Sequence, residues 1–365
     1  MILAVVGTRP EVIKMAPVIH ALRRRGLAVQ LVATGQHHDV RMMGSFLETF
    51  ALRVDHALTL THRDLLGSFV DILGSLGPVF RAVKPRMALA VGDTTTVLAT
   101  GLAARKTGCA FGHIEAGLRA FSRDLPEEEH RICADAVGDL LFAPTRIAAE
   151  NLAREHVNGQ VIVSGNPILD ALRSHPPVAV PVDRREGILV TIHRQETVDD
   201  PRKLAQVVEA LRILANVELV DWPLHPRTRT RLAEAAITLP LTLKVTEPVG
   251  HTDFLAQLAR ARLVITDSGG VQEEAAIIGT PCVCVREHTE RPETIAAGVG
   301  LLAGTETIDI LEAVREILGA WERFARPVPH LYGDGHAGDK IADACATFLA
   351  EEARSLPHLA ARTTA

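Results

Sequence analysis

Short apolar strands alternate with amphipathic helices along this chain, and that alternation restricts it to one fold class. Ile2 to Val6, Val29 to Ala33, Met87 to Val91, Ala110 to Ile114 and Leu140 to Phe142 read as strands. Helical stretches lie between them, such as Pro10 to Arg25 and Thr94 to Thr107. The segment SHPPVAVPVDRREG, 174 to 187, is rich in proline and charge and reads as a linker. The alternation then restarts: Ile188 to Ile192, Glu218 to Trp222, Leu241 to Val245, Leu263 to Thr266 and Cys282 to Val285, with a helix over Pro201 to Ala215. The pattern predicts α/β architecture with parallel sheets covered on both faces. A chain of 365 residues exceeds the usual size of one core, so two domains are expected, 1–173 and 174–335. The last helical run, 336–353, is a candidate for crossing back to the first domain.

Composition excludes several classes. A net charge of −5 gives no reason to expect a nucleic-acid or anionic-membrane partner. The five cysteines lack paired CxxC spacing, so a zinc site is not expected. Buried free thiols in a reducing compartment are expected instead, with Cys282 and Cys284 on one face of a strand. The start, MILAVVGTRPE, has no basic leader or cleavage site. No apolar run reads as approaching the ~20 residues of a membrane span. A cytoplasmic protein is the expectation.

In open α/β sheets, ligands bind beyond the carboxyl ends of the strands. The polar residues collect there in both halves. Gly7-Thr8-Arg9, Gly92-Asp93-Thr94 and Glu115 follow strands in the first half; His193-Arg194, His225 and Asp267-Ser268 do so in the second. The segment ARLVITDSGGVQEEAAIIGTP, 261–281, reads as strand, tight turn and helix. Gly269 and Gly270 would let backbone approach an anion at the helix's first turn. Glu274 sits one turn deeper, where a carboxylate suits paired ribose hydroxyls. The plainer alternative is a strand-to-helix turn with glycines for geometry and Glu274 for solubility.

Other positions carry the same two-sided reading. Arg9 and Lys14 bring two cations near the first strand end, or are solvated charges at a helix start where Pro10 suits the first helical position. Asp93 is a candidate acid, or a cap of the next helix. Glu115, beside a glycine turn, has no capping role to explain it. Glu127, Glu128 and Glu129 open a helix after Pro126, where the helix dipole accounts for two of the three. No GxGxxG follows the first strand, the second strand ends at Thr34-Gly35-Gln36 with no acid for a ribose, and GxxxxGK[ST], GxSxG and HExxH are absent, which disfavours nicotinamide, P-loop, serine-hydrolase and metalloprotease chemistry.

Ten strings together resemble the non-hydrolysing UDP-N-acetylglucosamine 2-epimerases. They are GTRPEVIKMAP (7–17), TGQH (34–37), GDTTT (92–96), HIEAGLR (113–119), PEEEHR (126–131), SGNPILD (164–170), TIHRQE (191–196), DSGGVQEEA (267–275), REHTERPE (286–293) and YGDGHA (332–337). They fall in the family's order across nearly the whole chain. The resemblance implies a GT-B fold, two Rossmann-like domains with parallel sheets facing a central cleft, and interconversion of UDP-GlcNAc and UDP-ManNAc. It implies no cofactor and no metal. The family's route eliminates UDP to give 2-acetamidoglucal, then re-adds it with opposite protonation at carbon two. Such a route needs stabilisation of a departing diphosphate and acid/base groups near carbon two.

By that resemblance Asp93, Glu115 and Glu127 match the catalytic acids, His193 the catalytic-site histidine and Arg131 a supporting arginine. Arg9, Lys14, His193, Ser268, Gly269, Gly270, Glu274 and Arg291 match UDP-binding positions. Gln36, His37 and Arg194 lie in segments that bind a second UDP-GlcNAc as an activator in some members. A homodimer is implied as well. Clustered carboxylates should push one of their number toward a raised pKa. The common HGDTTT reads Val91-Gly92-Asp93 here, and the common HRREN reads His193-Arg194-Gln195-Glu196-Thr197. The loop between Glu115 and Glu127 is of the shorter type seen in relatives acting on UDP-2,3-diacetamido sugars. An epimerase of such a sugar, or a GT-B glycosyltransferase, is the alternative.

Overall fold

Every described strand pairing is parallel. The computed structural model of the chain describes residues 1–35, 40–62 and 64–362. It divides into two units, one of Met1–Arg119, Arg123–Arg173 and Tyr332–Ala365, the other of Ala120–Ser122 and Ser174–Leu331.

The first unit holds β1 (Ile2–Val6), β2 (Val29–Ala33), β3 (His56–Ala57), β4 (Met87–Val91), β5 (Ala110–Ile114), β6 (Leu140–Ala143) and β7 (Gln160–Val163). Their order across the sheet is β3-β2-β1-β4-β5-β6-β7. The central strands β1, β4 and β5 are buried throughout, as parallel strands covered by helices on both faces must be. Leu3, Val5, Phe80, Ala88 and Phe111 form one core cluster with the helix faces above them. Gly117, at φ 82°, shows how tightly the layers meet: a Cβ there would lie 2.2 Å from the Ala148 carbonyl oxygen. The C-terminal helix, Ala337–Arg362, packs on the first helix, Arg9–Arg24, and Arg25 bridges Asp339 and Asp343 of it at 2.9 and 2.5 Å.

The second unit holds β8 (Ile188–Thr191), β9 (Val220–Pro223), β10 (Lys244–Thr246), β11 (Leu263–Thr266), β12 (Cys282–Cys284) and β13 (Gly300–Leu302), ordered β10-β9-β8-β11-β12-β13. Trp222, fully buried, anchors its core among Val190, Leu211, Ile265 and Phe324. In each sheet the winding direction reverses once, between β1 and β4 and between β8 and β11. A crevice opens beyond the carboxyl ends at such a reversal, because the flanking connections leave toward opposite faces. The registers Ile2↔Met87 and Leu263↔Ile188 bring the two strand ends level at each reversal.

Several expectations need correction. β3, β7 and β13 give no strong signal in the sequence: β3 is two residues long, β7 is an exposed edge strand, and β13 is only three residues. Leu241, expected in a strand, is fully exposed, and β10 starts at Lys244. Pro10 is the second residue of its helix, not the first. One helix, Leu65–Val83, is long and apolar enough by length and composition to cross a membrane, against the expectation that no run qualifies. Its face with Ile72, Leu76 and Phe80 belongs to the sheet's core, while Leu65, Leu66 and Val70 are exposed. Cys109, Cys282, Cys284 and Cys345 are buried thiols, but Cys133 is exposed on the helix Pro126–Val137.

Candidate active site

At the carboxyl end of β1 the chain turns into a helix through Gly7 and Thr8. Glu11, at the third helical position, turns back over that start. Its Oε2 accepts the backbone N–H groups of Gly7 at 2.5 Å and Thr8 at 3.2 Å. This is the carboxylate half of a capping box, in which a third-position acid satisfies orphan donors of the first turn. Its other oxygen accepts the Thr94 hydroxyl at 2.6 Å, from the turn after β4. Burial pushes the Glu11 carboxyl up to about 7 against those hydrogen bonds, and the charge of Asp93 adds to the rise. Glu11 was missed as a candidate in the sequence, although the Thr8-x-x-Glu11 spacing was its signal.

The turn after β4 carries Asp93. Its carboxylate pairs with the Arg131 guanidinium, which also binds Glu128 at 2.7 Å from a position 1% exposed. Thr94, the next residue, holds the cap position of the following helix. Glu128 is more than a helix-dipole acid, being buried in that ion pair. Glu127 lies half-buried on the same first turn.

The turn after β5 carries Glu115 at φ 70°, in the left-handed region that side chains disfavour. Its Oε1 accepts Lys14 Nζ at 2.6 Å and Asn166 Nδ2 at 2.8 Å. Lys14 is buried, which overturns the reading of it as a solvated charge. A Cβ on Gly92 would stand 3.6 Å from Glu115 Oε2, so the Glu115 carboxylate lies against the Asp93 turn. Glu11, Asp93 and Glu115, from three adjacent strand ends, thus share one region, with Lys14 and Arg131 as their cations. Arg9 stacks its guanidinium 5.9 Å from the centre of the Phe46 ring. Gln36 and His37 lie outside the described residues.

In the second unit, Asp267 at the end of β11 is fully buried and accepts the N–H groups of His193 and Arg194 at 2.9 and 2.8 Å. Burial raises its carboxyl, and these N–H groups oppose the rise. The acid thereby fixes the turn after β8, and the His193 ring lies 5.3 Å from that of His225. Ser268 caps the helix Gly269–Ile278, so both glycines belong to its first turn. Neither has the positive φ of a strained turn. A Cβ at Gly269 would lie 2.5 Å from Glu290 Oε1, while one at Gly270 would meet nothing nearer than Ser268 Oγ at 4.0 Å. Glu274 bonds His251 Nε2 at 2.7 Å. Arg291 is buried and pairs with Glu273, and Arg194 points its guanidinium to Glu290 at 3.7 Å. Both strand-end clusters occupy the reversal points of their sheets.

The sequence profile described as UDP-N-acetylglucosamine 2-epimerase matches residues 20–346. The chain belongs to this family. A UDP-N-acetylglucosamine 2-epimerase of Methanococcus maripaludis is 37% identical over 93% of this chain and 96% of its own length. A UDP-2,3-diacetamido-2,3-dideoxy-D-glucuronate 2-epimerase of Pseudomonas aeruginosa is 38% identical over 94% of this chain and 98% of its own. The crystal structure of the Methanocaldococcus jannaschii UDP-GlcNAc 2-epimerase, in complex with UDP-GlcNAc and UDP, superposes with a TM-score of 0.88 at 34% identity, covering 95% of this chain and 100% of that one. The fold is of the GT-B class, built from two Rossmann-like domains. The family is one of isomerases.

Proposed function

We propose that this protein epimerises UDP-GlcNAc and UDP-ManNAc at carbon two without hydrolysing them. The observation that carries the reading is the gathering of Glu11, Asp93 and Glu115 at adjacent strand ends, each in a different electrostatic setting. Elimination breaks the anomeric carbon–oxygen bond, the electron pair leaving with UDP. The carbon-two proton passes to a carboxylate, and a carbon–carbon double bond forms. The reverse addition, with the proton delivered to the other face, gives the epimer. One set of acids must therefore both take and give a proton near neutral pH, which suits carboxyls held in unlike environments.

Asp93, Glu115 and Glu127 take the acid/base roles, with Arg131 holding Asp93. Arg9, His193, Ser268, Gly269, Gly270 and Glu274 bind UDP: the N–H groups of the helix start receive the diphosphate, and Glu274, turning from His251, receives the ribose. Lys14, paired with Glu115, is a further UDP-binding candidate. Arg291, which pairs with Glu273, is a further UDP-binding candidate. Gln36, His37 and Arg194 remain the candidates for a second nucleotide sugar. A UDP-2,3-diacetamido sugar is the second reading for the substrate. It is favoured by the Pseudomonas aeruginosa relative and by the shorter type of loop between Glu115 and Glu127.

Proton NMR in heavy water tests both. The anomeric signals of a second epimer should grow from UDP-GlcNAc while deuterium enters at carbon two. Label only in the diacetamido sugar would move the substrate to the second reading. Absence of label in either would overturn the epimerase.

A further inference from the structure

Two histidines grip consecutive carbonyls at Asp93. His113 Nε2 lies 2.8 Å from the carbonyl oxygen of Gly92, and His130 Nδ1 lies 2.9 Å from that of Asp93. A carbonyl oxygen only accepts, so each of these ring nitrogens carries a hydrogen. The other nitrogen of His113, Nδ1, lies 2.6 Å from Asp135 Oδ1, with both side chains 0% exposed. Burial would raise the Asp135 carboxyl, yet His113 and Arg119 beside it hold it below its ordinary range. It too is an acceptor. Both nitrogens of a wholly buried ring face oxygen atoms, and a ring with a hydrogen on each satisfies both contacts.

The far side of Asp135 completes the link. Its Oδ2 accepts the Gly117 N–H at 3.0 Å and Arg119 Nη2 at 2.7 Å. Gly117 lies two residues after Glu115. One continuous path, Gly92 carbonyl to His113 to Asp135 to Gly117 amide, thus ties the turn bearing Asp93 to the turn bearing Glu115. Gly92 sits at φ 92°, where backbone freedom is greatest and a tether matters most. Arg131 fixes the carboxylate of Asp93, and the two histidines fix its backbone.

We infer that His113, as an imidazolium, and His130 are positioning residues that clamp Asp93 and hold it in register with Glu115. The inference rests on the reading of those two acids as the acid/base pair. It predicts that loosening the clamp lowers turnover rather than substrate affinity, since misplacement of a reacting group by about 1 Å costs on the order of 10²-fold in rate.

His130 gives the practical test because it is only half-buried. An asparagine amide can occupy the Nδ1 donor position and leucine cannot. H130L should lower kcat for carbon-two exchange by roughly 10²-fold with KM nearly unchanged, and H130N should restore most of it. Nitrogen NMR of the His113 ring should give the doubly protonated pattern in the full-length protein, lost on Asp135→Asn. Amide exchange at Gly92 to Thr94 should quicken in H130L. A neutral His113 ring, or H130L with wild-type kcat, would overturn the clamp. Wild-type protein that turns over neither sugar yet shows the doubly protonated ring would overturn the proposed function and leave the clamp standing.

Discussion

Lys14 and Glu115, 101 positions apart in sequence, meet as a buried ion pair of 2.6 Å on opposite sides of the first sheet's reversal point. Glu115 holds that place at φ 70°, a conformation costing about 1–3 kcal/mol for a residue with a side chain. A surface acid would not need such a backbone. Glu115→Gln keeps the shape and removes the charge. It should lower carbon-two exchange by roughly 10²–10⁴-fold. It should also destabilise the first unit by about 3–5 kcal/mol, because the buried ammonium of Lys14 loses its carboxylate. The double variant with Lys14→Met should recover part of that stability and none of the rate. Wild-type exchange in Glu115→Gln would remove this acid from the reaction.

Glu11 sets a pH dependence of folding. Its carboxyl moves from 4.5 to about 7 on burial. Below 4.5 the proton is held in folded and unfolded chains alike. Between 4.5 and about 7 the folded chain keeps a proton that the unfolded chain has lost, so rising pH favours unfolding. Above about 7 the loss is complete, on the order of 3 kcal/mol for this one group. Glu11→Gln stays neutral throughout, and its amide oxygen can accept the Gly7 and Thr8 N–H groups that Glu11 Oε2 accepts. Urea unfolding across this range should show a shallower decline for the variant than for the wild type. Identical slopes would place the ionisation elsewhere.

Asp267 makes the matching test in the second unit. Its oxygens accept the backbone N–H groups of His193 and Arg194 in a fully buried position, with the His193 ring Nδ1 3.6 Å away. Asp267→Asn turns one acceptor into a donor facing those donors. It should cost about 1–3 kcal/mol and loosen the turn that carries His193. Thermal melting reads the first effect. The ring signals of His193 and His225 read the second, since the two rings are 5.3 Å apart.

The central strands were legible because they are buried on both faces, where apolar residues predominate. Ile2–Val6, Met87–Val91, Ala110–Ile114 and Leu263–Thr266 were read to the residue. The edges were not, because a strand such as Gln160–Val163 is exposed and its pattern carries no face. The strand-end acids Asp93 and Glu115 stood out by position alone. Their partners did not: Asn166 joins Glu115 from 51 positions away, and Asp135 joins His113 from the last turn of a helix. Such pairings follow from strand order, which local spacing does not encode. Glu11 was hidden for another reason, since a capping acid and a titrating acid have the same sequence signature. Only its burial separates them.

The two glycines at the second unit's helix start predict opposite outcomes for the same substitution. At Gly269 an added Cβ meets Glu290 Oε1 at 2.5 Å, and Glu290 is 1% exposed and held by Arg286 at 2.7 Å. Gly269→Ala should therefore destabilise the unit by about 1–3 kcal/mol. At Gly270 the nearest atom is 4.0 Å away, and alanine suits a helix better than glycine by about 0.5–1 kcal/mol. Gly270→Ala should melt at or above the wild-type temperature. If the helix start seats a diphosphate, the same methyl group keeps that ligand off the backbone N–H groups. UDP affinity should then fall by at least about tenfold, ~1.4 kcal/mol. Calorimetric titration with UDP on a variant of undiminished stability isolates that effect from folding. Wild-type affinity in Gly270→Ala would mean that the diphosphate does not approach the backbone at Gly270.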